Sequence, residues 1–301
     1  MDKKYFKKTN CPLCNSNYYK IMFKKIDQHD YLYKNNEPKI EFQVVRCNIC
    51  NMQYMNPTLT RQSLKKIYNK TYADFWDLDK MTRKEKELHT LSHEKRIRYI
   101  QKITNLKKAR LLDYGCGKAY FIRNSNKIVP SWDFYGYDFN KNIKKIQEKV
   151  KIYYAENISK TPIKKNYFDI VTFNEVIEHF IEPKEEIKKI SHYIKKGGHI
   201  YIETGNQESL IAKIKGKKHY YYDIYHTSYF SIKTIKKLLN ENGFEIVKIN
   251  DYPLNYDLLR LHQKFNLKCF IRGIIYWILS KIKIRNFAIT GGMSVLAKKI
   301  R

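Results

Sequence analysis

The sequence has few acidic side chains for its size. It contains 29 Asp and Glu residues against 59 Lys and Arg residues, so its formal net charge is +30 over 301 residues. A strongly basic chain suggests an acidic partner, such as nucleic acid, a phosphorylated substrate or an anionic membrane. Lys, Ile, Asn and Tyr are all abundant, however, as an A/T-rich genome would produce. We favour this compositional bias over a dedicated nucleic-acid surface.

The sequence also lacks an uninterrupted apolar run of ~20 residues, the length that a membrane-spanning helix needs. Residues 1–10 are charged and have no apolar core of the kind that a secretory signal carries, so we expect a cytoplasmic protein. Residues 266–287 are strongly apolar with basic flanks, but Arg272 and Lys281 fall about half a turn out of phase on a helix. We therefore expect this segment to serve packing or dimerisation, with peripheral membrane contact as the alternative.

The glycine-rich turn at residues 115–117 lacks the third glycine of a dinucleotide-binding fingerprint. That fingerprint reads G-x-G-x-x-G, and Tyr120 occupies the position three residues after Gly117. The turn follows an apolar run at residues 109–112 and precedes a helical pattern at residues 119–128, which predicts a buried strand, a tight turn and a helix. The two glycines let the backbone pass close to a ligand, because no Cβ stands in the way.

From residue 109 onwards, predicted strands and helices alternate. The strands fall at residues 109–114, 132–138, 151–155, 167–173 and 198–204, and the helices at 118–128, 140–149 and 183–196. This alternation predicts an α/β fold with a doubly wound, mostly parallel sheet covered on both faces, in which ligands bind beyond the carboxyl ends of the strands. A further helix is predicted at 231–242, and the last two strands at 244–249 and 293–299.

Four of the six cysteines form two CxxC pairs, Cys11 with Cys14 and Cys47 with Cys50. Two knuckles of this spacing supply four thiolates, which suits tetrahedral zinc. The interval between them can hold a hairpin, with strands at residues 18–23 and 40–46. In a chain without a secretion signal, disulfides are the weaker alternative. We expect a structural zinc that replaces a core too small to form in so short a segment.

The segment Asp113-Tyr114-Gly115-Cys116-Gly117 resembles the first motif of class I S-adenosylmethionine (SAM) methyltransferases. Later segments look like further motifs of that family in the same order, namely residues 135–138, 168–173, 175–179 and 194–198. The resemblance covers roughly residues 60–301 and implies a seven-stranded, Rossmann-like methyltransferase sheet whose last two strands form an antiparallel hairpin at one edge. Ala119 replaces the third glycine of the family motif, and we expect this small residue to be tolerated.

The resemblance also suggests how the chain is divided. We expect a zinc ribbon at residues 1–57, a helical cap or linker at 58–105, and a SAM-binding domain at 106–301 with an apolar, basic-flanked insertion at about 255–290. The linker reads as helices at residues 60–70 and 82–103, and Thr82 with Glu85 makes a capping box. Between these helices lies an aromatic patch formed by Tyr68, Tyr72, Phe75 and Trp76. In related enzymes this region covers the cofactor and acceptor site, and the alternative is packing against the sheet.

The resemblance implies roles for the residues at the strand ends. Asp138 would accept both ribose hydroxyls of SAM, which needs a bidentate acceptor; a helix N-cap is the structural alternative, and the two are compatible. Asp113 would bind the ammonium of the methionine part, and Phe139 would flank the adenine. The remaining cofactor-binding candidates are Tyr114, Gly115, Cys116, Gly117, Glu156, Asn157 and Asn174.

The acceptor side has two interpretations. Glu175, Glu178 and His179 lie at i, i+3 and i+4, on one face of a helical turn. The set resembles quinone-biosynthesis O-methyltransferases and small-RNA 3′-end 2′-O-methyltransferases, in which it can hold a divalent ion such as magnesium, and His226 would complete it. Alternatively, His179 or His226 is the base for a hydroxyl group, or these histidines only make structural hydrogen bonds.

Residues 224–226 stand where zinc-ribbon sugar C-methyltransferases carry His-Glu-His, and the missing acid favours transfer to oxygen. The resemblance therefore implies a SAM-dependent methyltransferase that acts on a sugar hydroxyl of a nucleotide sugar or a bacterial cell-surface glycan. The expected partner is a small-molecule or glycan substrate that is phosphorylated or nucleotide-linked. RNA methylation, quinone-type O-methylation and a binding module without activity are the alternatives.

Overall fold

The N-terminal segment is built from short antiparallel strands. The computed structural model describes residues 5–27, 39–67, 81–140, 150–252 and 291–301. Its first strands are β1 (Phe6–Lys7), β2 (Tyr19–Ile26), β3 (Glu41–Cys47), β4 (Gln53–Met55) and β5 (Thr58–Leu59). β2 pairs with β3 and β3 with β4, while β1 pairs with β5. The hairpin expected between the two CxxC pairs is confirmed. We call residues 5–27 and 39–59 the cysteine module.

Two helices follow the cysteine module, α1 (Arg61–Ile67) and α2 (Arg83–Thr104). The capping box expected at the start of α2 is confirmed, since Thr82 Oγ1 accepts the N–H of Glu85 at 3.3 Å and the Glu85 carboxylate accepts the N–H of Thr82 at 2.8 Å. One face of α2 is buried against the remainder of the chain. The expected aromatic patch of Tyr68, Tyr72, Phe75 and Trp76 lies outside the described residues.

A seven-stranded sheet forms the centre of the larger part of the chain. Its strands are β6 (Arg110–Tyr114), β7 (Asp133–Asp138), β8 (Lys151–Tyr154), β9 (Phe168–Asn174), β10 (Ile194–Gly205), β12 (Phe244–Tyr252) and β13 (Gly292–Lys299). They are ordered β12-β13-β10-β9-β6-β7-β8, and only β13 runs antiparallel to both of its neighbours. The prediction of a mostly parallel, Rossmann-like sheet with an antiparallel hairpin at one edge is confirmed.

The described helices beside this sheet are α3 (Tyr120–Ile128), α4 (Pro183–Ser191), α5 (Leu210–Lys215) and α6 (Ile232–Glu241). The prediction that α4 runs to residue 196 was wrong. Tyr193 and Ile194 are buried, and the carbonyl of Tyr193 accepts the N–H groups of Tyr167 and Phe168 at 3.0 Å. The chain therefore enters β10 where the local pattern still favoured a helix. The expected helix at 140–149 and insertion at 255–290 fall almost wholly outside the described residues.

A short strand, β11 (Ser228–Tyr229), joins the two parts of the chain. It pairs with β4, so the second sheet has the order β11-β4-β3-β2. The N–H of Met55 donates to the carbonyl of Thr227 at 2.9 Å, and the N–H of Thr227 donates to the carbonyl of Glu178 at 2.9 Å. The cysteine module is thereby hydrogen-bonded, through one segment, to the loop that follows β9. Within the described ranges, no helix has the length and apolar character that crossing a bilayer requires.

Candidate active site

A cavity of about 500 Å³ lies at the carboxyl ends of β6, β7 and β9. This is the edge of a parallel sheet where ligands bind in open α/β folds. All of the expected cofactor-binding residues line it except Asn157. The side chain of Asn157 instead accepts the N–H of Ser159 at 3.1 Å and caps a short 3₁₀ turn. Of the four expected acceptor-side residues, Glu175 and His179 line the cavity, and Glu178 and His226 do not.

The glycine turn after β6 has the conformation that its sequence requires. Gly115 and Gly117 have φ values of +79° and +51°, which glycine adopts without the cost that a Cβ imposes. A Cβ at Gly115 would also lie 2.7 Å from Cγ2 of Val176. Ala119 has a φ of +60° although it is an alanine. The position thus keeps the left-handed backbone of a glycine, at a cost of about 1 kcal/mol for an L-residue.

The carboxylate of Asp138 organises the end of β7. Its Oδ2 accepts the N–H of Gly117 at 2.8 Å and its Oδ1 accepts the N–H of Asn140 at 2.8 Å. Burial raises the pKa of this carboxyl, and the backbone N–H groups that it accepts oppose the shift. The N–H of Phe139 acts on the same carboxylate, so three backbone N–H groups of the two loops stabilise its ionised form.

Asp113, at the end of β6, is a buried carboxylate beside the cavity. Its Oδ1 accepts hydrogen bonds from Thr172 Oγ1 and Asn174 Nδ2, each at 2.7 Å. Burial raises its pKa to about 7, although these bonds and the nearby Arg96 act in the opposite direction. A cation nearby stabilises the ionised form of a buried carboxyl, so this position suits an ammonium group.

The sequence interpretation missed one wall of the cavity, which α2 supplies through His89, His93 and Arg96. Arg96 is buried, donates through Nη2 to the Glu203 carboxylate, and places its guanidinium 5.3 Å from the ring centroid of Phe121. Burial and the charge of Arg96 lower the pKa of both histidines, so both are neutral at pH 7. The feature of the sequence that could have indicated this wall is the i, i+4, i+7 spacing of these three residues, which puts them on one face of an otherwise largely charged helix.

Arg96 and Asp113 place opposite charges on the wall of one cavity. An amino acid carries an ammonium and a carboxylate on one carbon, and it is therefore complementary to such a pair. Both groups are largely withdrawn from water, where charged contacts are stronger than at an exposed surface. The cavity can accordingly bind a ligand that combines a zwitterionic end with a pair of hydroxyl groups.

A second group of polar side chains lies beside the cavity. Glu178, His179 and His226 each offer a ligand atom, and these atoms lie within 4.8 Å of one another. Glu178 is fully buried; its Oε2 accepts a hydrogen bond from Thr204 Oγ1 at 2.9 Å, and its Oε1 has no hydrogen-bond partner among the described residues. Burial raises its pKa to about 8. Glu175 lies outside this group although it lines the cavity.

The two histidines of this group are oriented by backbone carbonyls. His179 Nδ1 lies 3.0 Å from the carbonyl oxygen of Tyr225, and His226 Nδ1 lies 2.7 Å from that of Tyr221. A carbonyl only accepts, so each Nδ1 carries a proton and donates it to the carbonyl. Burial lowers the pKa of His179 to about 4, which keeps it neutral. The two rings lie 4.7 Å apart, with His179 on the side of the cavity.

The four cysteines of the two CxxC pairs come together, with all four sulfur atoms within 4.8 Å of one another. The Sγ atoms of Cys11 and Cys50 are 3.4 Å apart, and those of Cys14 and Cys47 are 3.5 Å apart. A disulfide bond measures about 2.05 Å, so these are free thiols. Each knuckle ends on a left-handed asparagine, with φ values of 60° at Asn15 and 62° at Asn51. The spacing suits a tetrahedral ion bound at about 2.3 Å from each sulfur.

Comparison with known proteins gives consistent matches. A family model described as a methyltransferase domain matches residues 86–249, which is more than half of the chain. An uncharacterized protein of Methanocaldococcus jannaschii is 30% identical over 165 residues, which cover 52% of this chain and 76% of that protein. A ubiquinone biosynthesis O-methyltransferase of Coxiella burnetii is 29% identical over 159 residues, which cover 50% of this chain and 66% of that enzyme. The chain thus matches just under two thirds of the length of the named quinone enzyme.

Similar folds are found among solved structures. A SAM-dependent methyltransferase from Archaeoglobus fulgidus aligns with 69% of this chain and 93% of its own, with a TM-score of 0.47 and 24% identity. A second one, from Mesorhizobium loti, aligns with 64% of this chain and 91% of its own, with a TM-score of 0.45 and 12% identity.

Proposed function

The chain belongs to the methyltransferase family whose domain model matches residues 86–249 and is a SAM-dependent methyltransferase, and we propose that its acceptor is a sugar hydroxyl on a nucleotide sugar or a bacterial cell-surface glycan. The observation that carries transfer to oxygen is the neutral, carbonyl-oriented His179 at the wall of the cavity. A hydroxyl group is a weak nucleophile until a base accepts its proton, and a neutral imidazole at the wall of the cavity can accept it.

The cofactor is proposed to bind along the ends of β6 and β7. Asp138 would accept the two ribose hydroxyls, since its carboxylate lines the cavity at the end of β7. Asp113 would bind the ammonium, and Arg96 lies on the same cavity wall for the carboxylate. Phe139 would flank the adenine, as its place in the lining allows. SAM supplies an electrophilic methyl group on a sulfonium centre, and these residues hold it in line with the acceptor.

In the proposed reaction, His179 removes the hydroxyl proton as the oxygen attacks. The proton moves to the imidazole of His179, the new O–CH₃ bond forms, and the S–CH₃ bond breaks. His226 lies behind His179 and would orient it rather than touch the acceptor, because it does not line the cavity. Of the two histidines that the sequence offered as the base, we therefore propose His179.

Glu178, His179 and His226 also form a donor set of one carboxylate and two imidazoles, which fits a divalent transition-metal ion better than the magnesium expected from the sequence. The unpartnered Oε1 of Glu178 is a buried atom that an ion would satisfy. A metal at this position would act as a Lewis acid that lowers the pKa of the acceptor hydroxyl. Glu175, which was expected in this set, is not part of it.

The proposed role of the cysteine cluster is structural. Four thiolates from two CxxC knuckles hold zinc tetrahedrally, and the metal stabilises a segment with a small core. All four ligand positions are then filled by protein, which leaves no open position for chemistry.

Quinone-type O-methylation is the second candidate, because the named relatives are ubiquinone biosynthesis O-methyltransferases. The test uses SAM carrying a labelled methyl group and extracts of a strain from which the gene has been deleted, separated into carbohydrate, lipid and RNA fractions. We expect the purified protein to label the carbohydrate fraction in a hydrolysis-stable ether. Label confined to the lipid fraction would support quinone-type O-methylation, and label confined to RNA would overturn both proposals.

A further inference from the structure

A second cavity lies where the cysteine module meets the loop after β9. It has a volume of about 830 Å³, and its walls come from residues 8–19 on one side and residues 181–185 on the other. Ile181 and Glu182 line both this cavity and the cavity at the strand ends. This pair of residues therefore borders both cavities. We call the second cavity the ribbon groove.

The lining of the ribbon groove is rich in side-chain amides, supplied by Asn10, Asn15, Asn17 and Asn56. A side-chain amide has both donors and an acceptor, which matches the donor and acceptor character of a hydroxyl group. Asn56 is buried and its oxygen already accepts the N–H of Thr9 at 3.1 Å, so the exposed amides are those of the other three residues. Asn10 Nδ2 donates to Asn15 Oδ1 at 3.3 Å, which leaves the oxygen of Asn10 and the amide hydrogens of Asn15 for a ligand. Tyr19 adds an aromatic ring to the same wall.

The charges around the groove cancel. Lys8 and Lys184 line it together with Glu182 and Glu185. Lys184 is paired with Glu241 at 2.8 Å, and Glu182 is paired with Arg61. A polyanion such as RNA is bound through an excess of Lys and Arg, and this groove has none. A prenylated quinone is bound by apolar side chains, and four amides do not provide that surface.

We propose that the ribbon groove binds neutral sugar units of the acceptor, next to the sugar that receives the methyl group. This inference rests on the proposed transfer to a sugar hydroxyl and adds a subsite for the rest of the carbohydrate. The acceptor extends from the methyl-transfer cavity past Ile181 and Glu182 and onto the amides of the first knuckle. The cysteine module is then a substrate-binding wall, which explains why the first knuckle faces the loop that carries the transfer site.

The test compares two matched variants of the zinc-loaded, full-length protein. Asn17→Trp puts a large side chain at an exposed position in the groove. Asn48→Trp puts the same side chain at an exposed position in the second knuckle, outside the groove. Zinc content and SAM affinity are measured for both proteins. Methyl transfer is then followed against increasing amounts of the carbohydrate fraction from the deletion strain.

We expect Asn17→Trp to raise the KM for the carbohydrate at least tenfold, while SAM affinity, zinc content and kcat stay within twofold of wild type. Asn48→Trp should match wild type in all four quantities. If the two variants show equal kinetics on a carbohydrate that the wild type methylates, the proposal that the groove binds the acceptor is contradicted, while the proposed function stands. If the wild type labels no carbohydrate at all, the proposed function fails and the groove proposal fails with it. A loss of zinc in Asn17→Trp is resolved by Asn17→Ala, for which a threefold or larger rise in KM is expected and an unchanged KM would contradict the groove.

Discussion

The backbone N–H of Gly117 donates to Oδ2 of Asp138 at 2.8 Å, so the turn after β6 and the acid that ends β7 are held to each other. The second oxygen of Asp138 accepts the N–H of Asn140 in the same way. The carboxylate thus shapes the cavity before any ligand enters it. A residue with this double role affects both the binding of a cofactor and the stability of the loop that surrounds it.

The first prediction concerns Asp138→Asn. The change removes a charged acceptor from two hydroxyl groups and from two backbone N–H groups, and charged hydrogen bonds contribute about 1.5–3 kcal/mol each. We expect the Kd for SAM to rise at least tenfold in calorimetry, together with a measurable fall in melting temperature. Asp133→Asn, at the exposed beginning of the same strand, is the control and should change neither quantity. Unchanged SAM affinity in Asp138→Asn would remove this residue from the cofactor site.

The second prediction is a pH dependence that arises from Asp113. Its pKa of about 7 lies above the ordinary 3.8, so between these values the folded chain holds a proton that the unfolded chain lacks. The contribution of this group therefore lowers the free energy of unfolding as pH rises from about 4 to 7. An ammonium bound beside it favours the ionised form, so SAM affinity should rise about fivefold from pH 6 to pH 7, as the ionised fraction of Asp113 does.

Thermal shift measurements with and without SAM at pH 5.5, 6.5 and 7.5 test this dependence. The stabilisation by SAM should grow with pH in the wild type. It should be small and nearly constant in Asp113→Asn, which cannot ionise. The same pH profile in both proteins would show that another group controls the affinity.

The sequence predicted those parts of the site that depend on local pattern. The turn at Gly115 and Gly117, the cap at Thr82 and the two knuckles each depend on residue types at fixed spacing, and each is present. The end of α4 was wrong because Tyr193 and Ile194 gain more from pairing with β9 and from burial than from one more helical turn.

The parts that could not be predicted depend on contacts between distant segments. The spacing of His89, His93 and Arg96 puts them on one face of α2, but which part of the fold this face meets depends on how α2 packs against α3 and the sheet. The pairing of β11 with β4 joins residues far apart in the chain, and a two-residue strand has no periodicity to detect. This pairing also implies that losing the zinc would disturb residues beyond the cysteine module.

The third prediction concerns Cys47→Ser, which removes one of the four thiols. We expect loss of zinc by elemental analysis and protease sensitivity in the cysteine module. SAM should still bind, because its proposed site is formed by β6, β7, β9 and α2. Methyl transfer should nevertheless fall at least tenfold, because β4 no longer holds β11 and the adjoining His226 in place. Asn48→Ser, in the same knuckle, is the control. Full activity of Cys47→Ser without zinc, or disulfides in the wild type, would contradict this account.

The last prediction separates a histidine base from a divalent ion at the same residues. If His179 is the base, His179→Asn should lower the methyl-transfer rate by roughly 10²–10⁴ while SAM affinity stays within twofold. His226→Asn should cost less, about tenfold, because it acts through the orientation of His179. Glu178→Gln keeps the shape of a buried side chain that takes no proton from the acceptor, so it should retain most of the rate. EDTA should have no effect, provided that the zinc content is verified after chelation.

If the three residues instead hold an ion, all three variants should lose activity together, and magnesium or manganese should restore the chelated wild type but none of the variants. His192→Asn, which removes an exposed imidazole elsewhere, should be fully active in either case. Full activity of His179→Asn, with no response to chelation, would exclude both mechanisms. Transfer would then depend on positioning alone, which favours a neutral amine as the acceptor, since an amine attacks without a base.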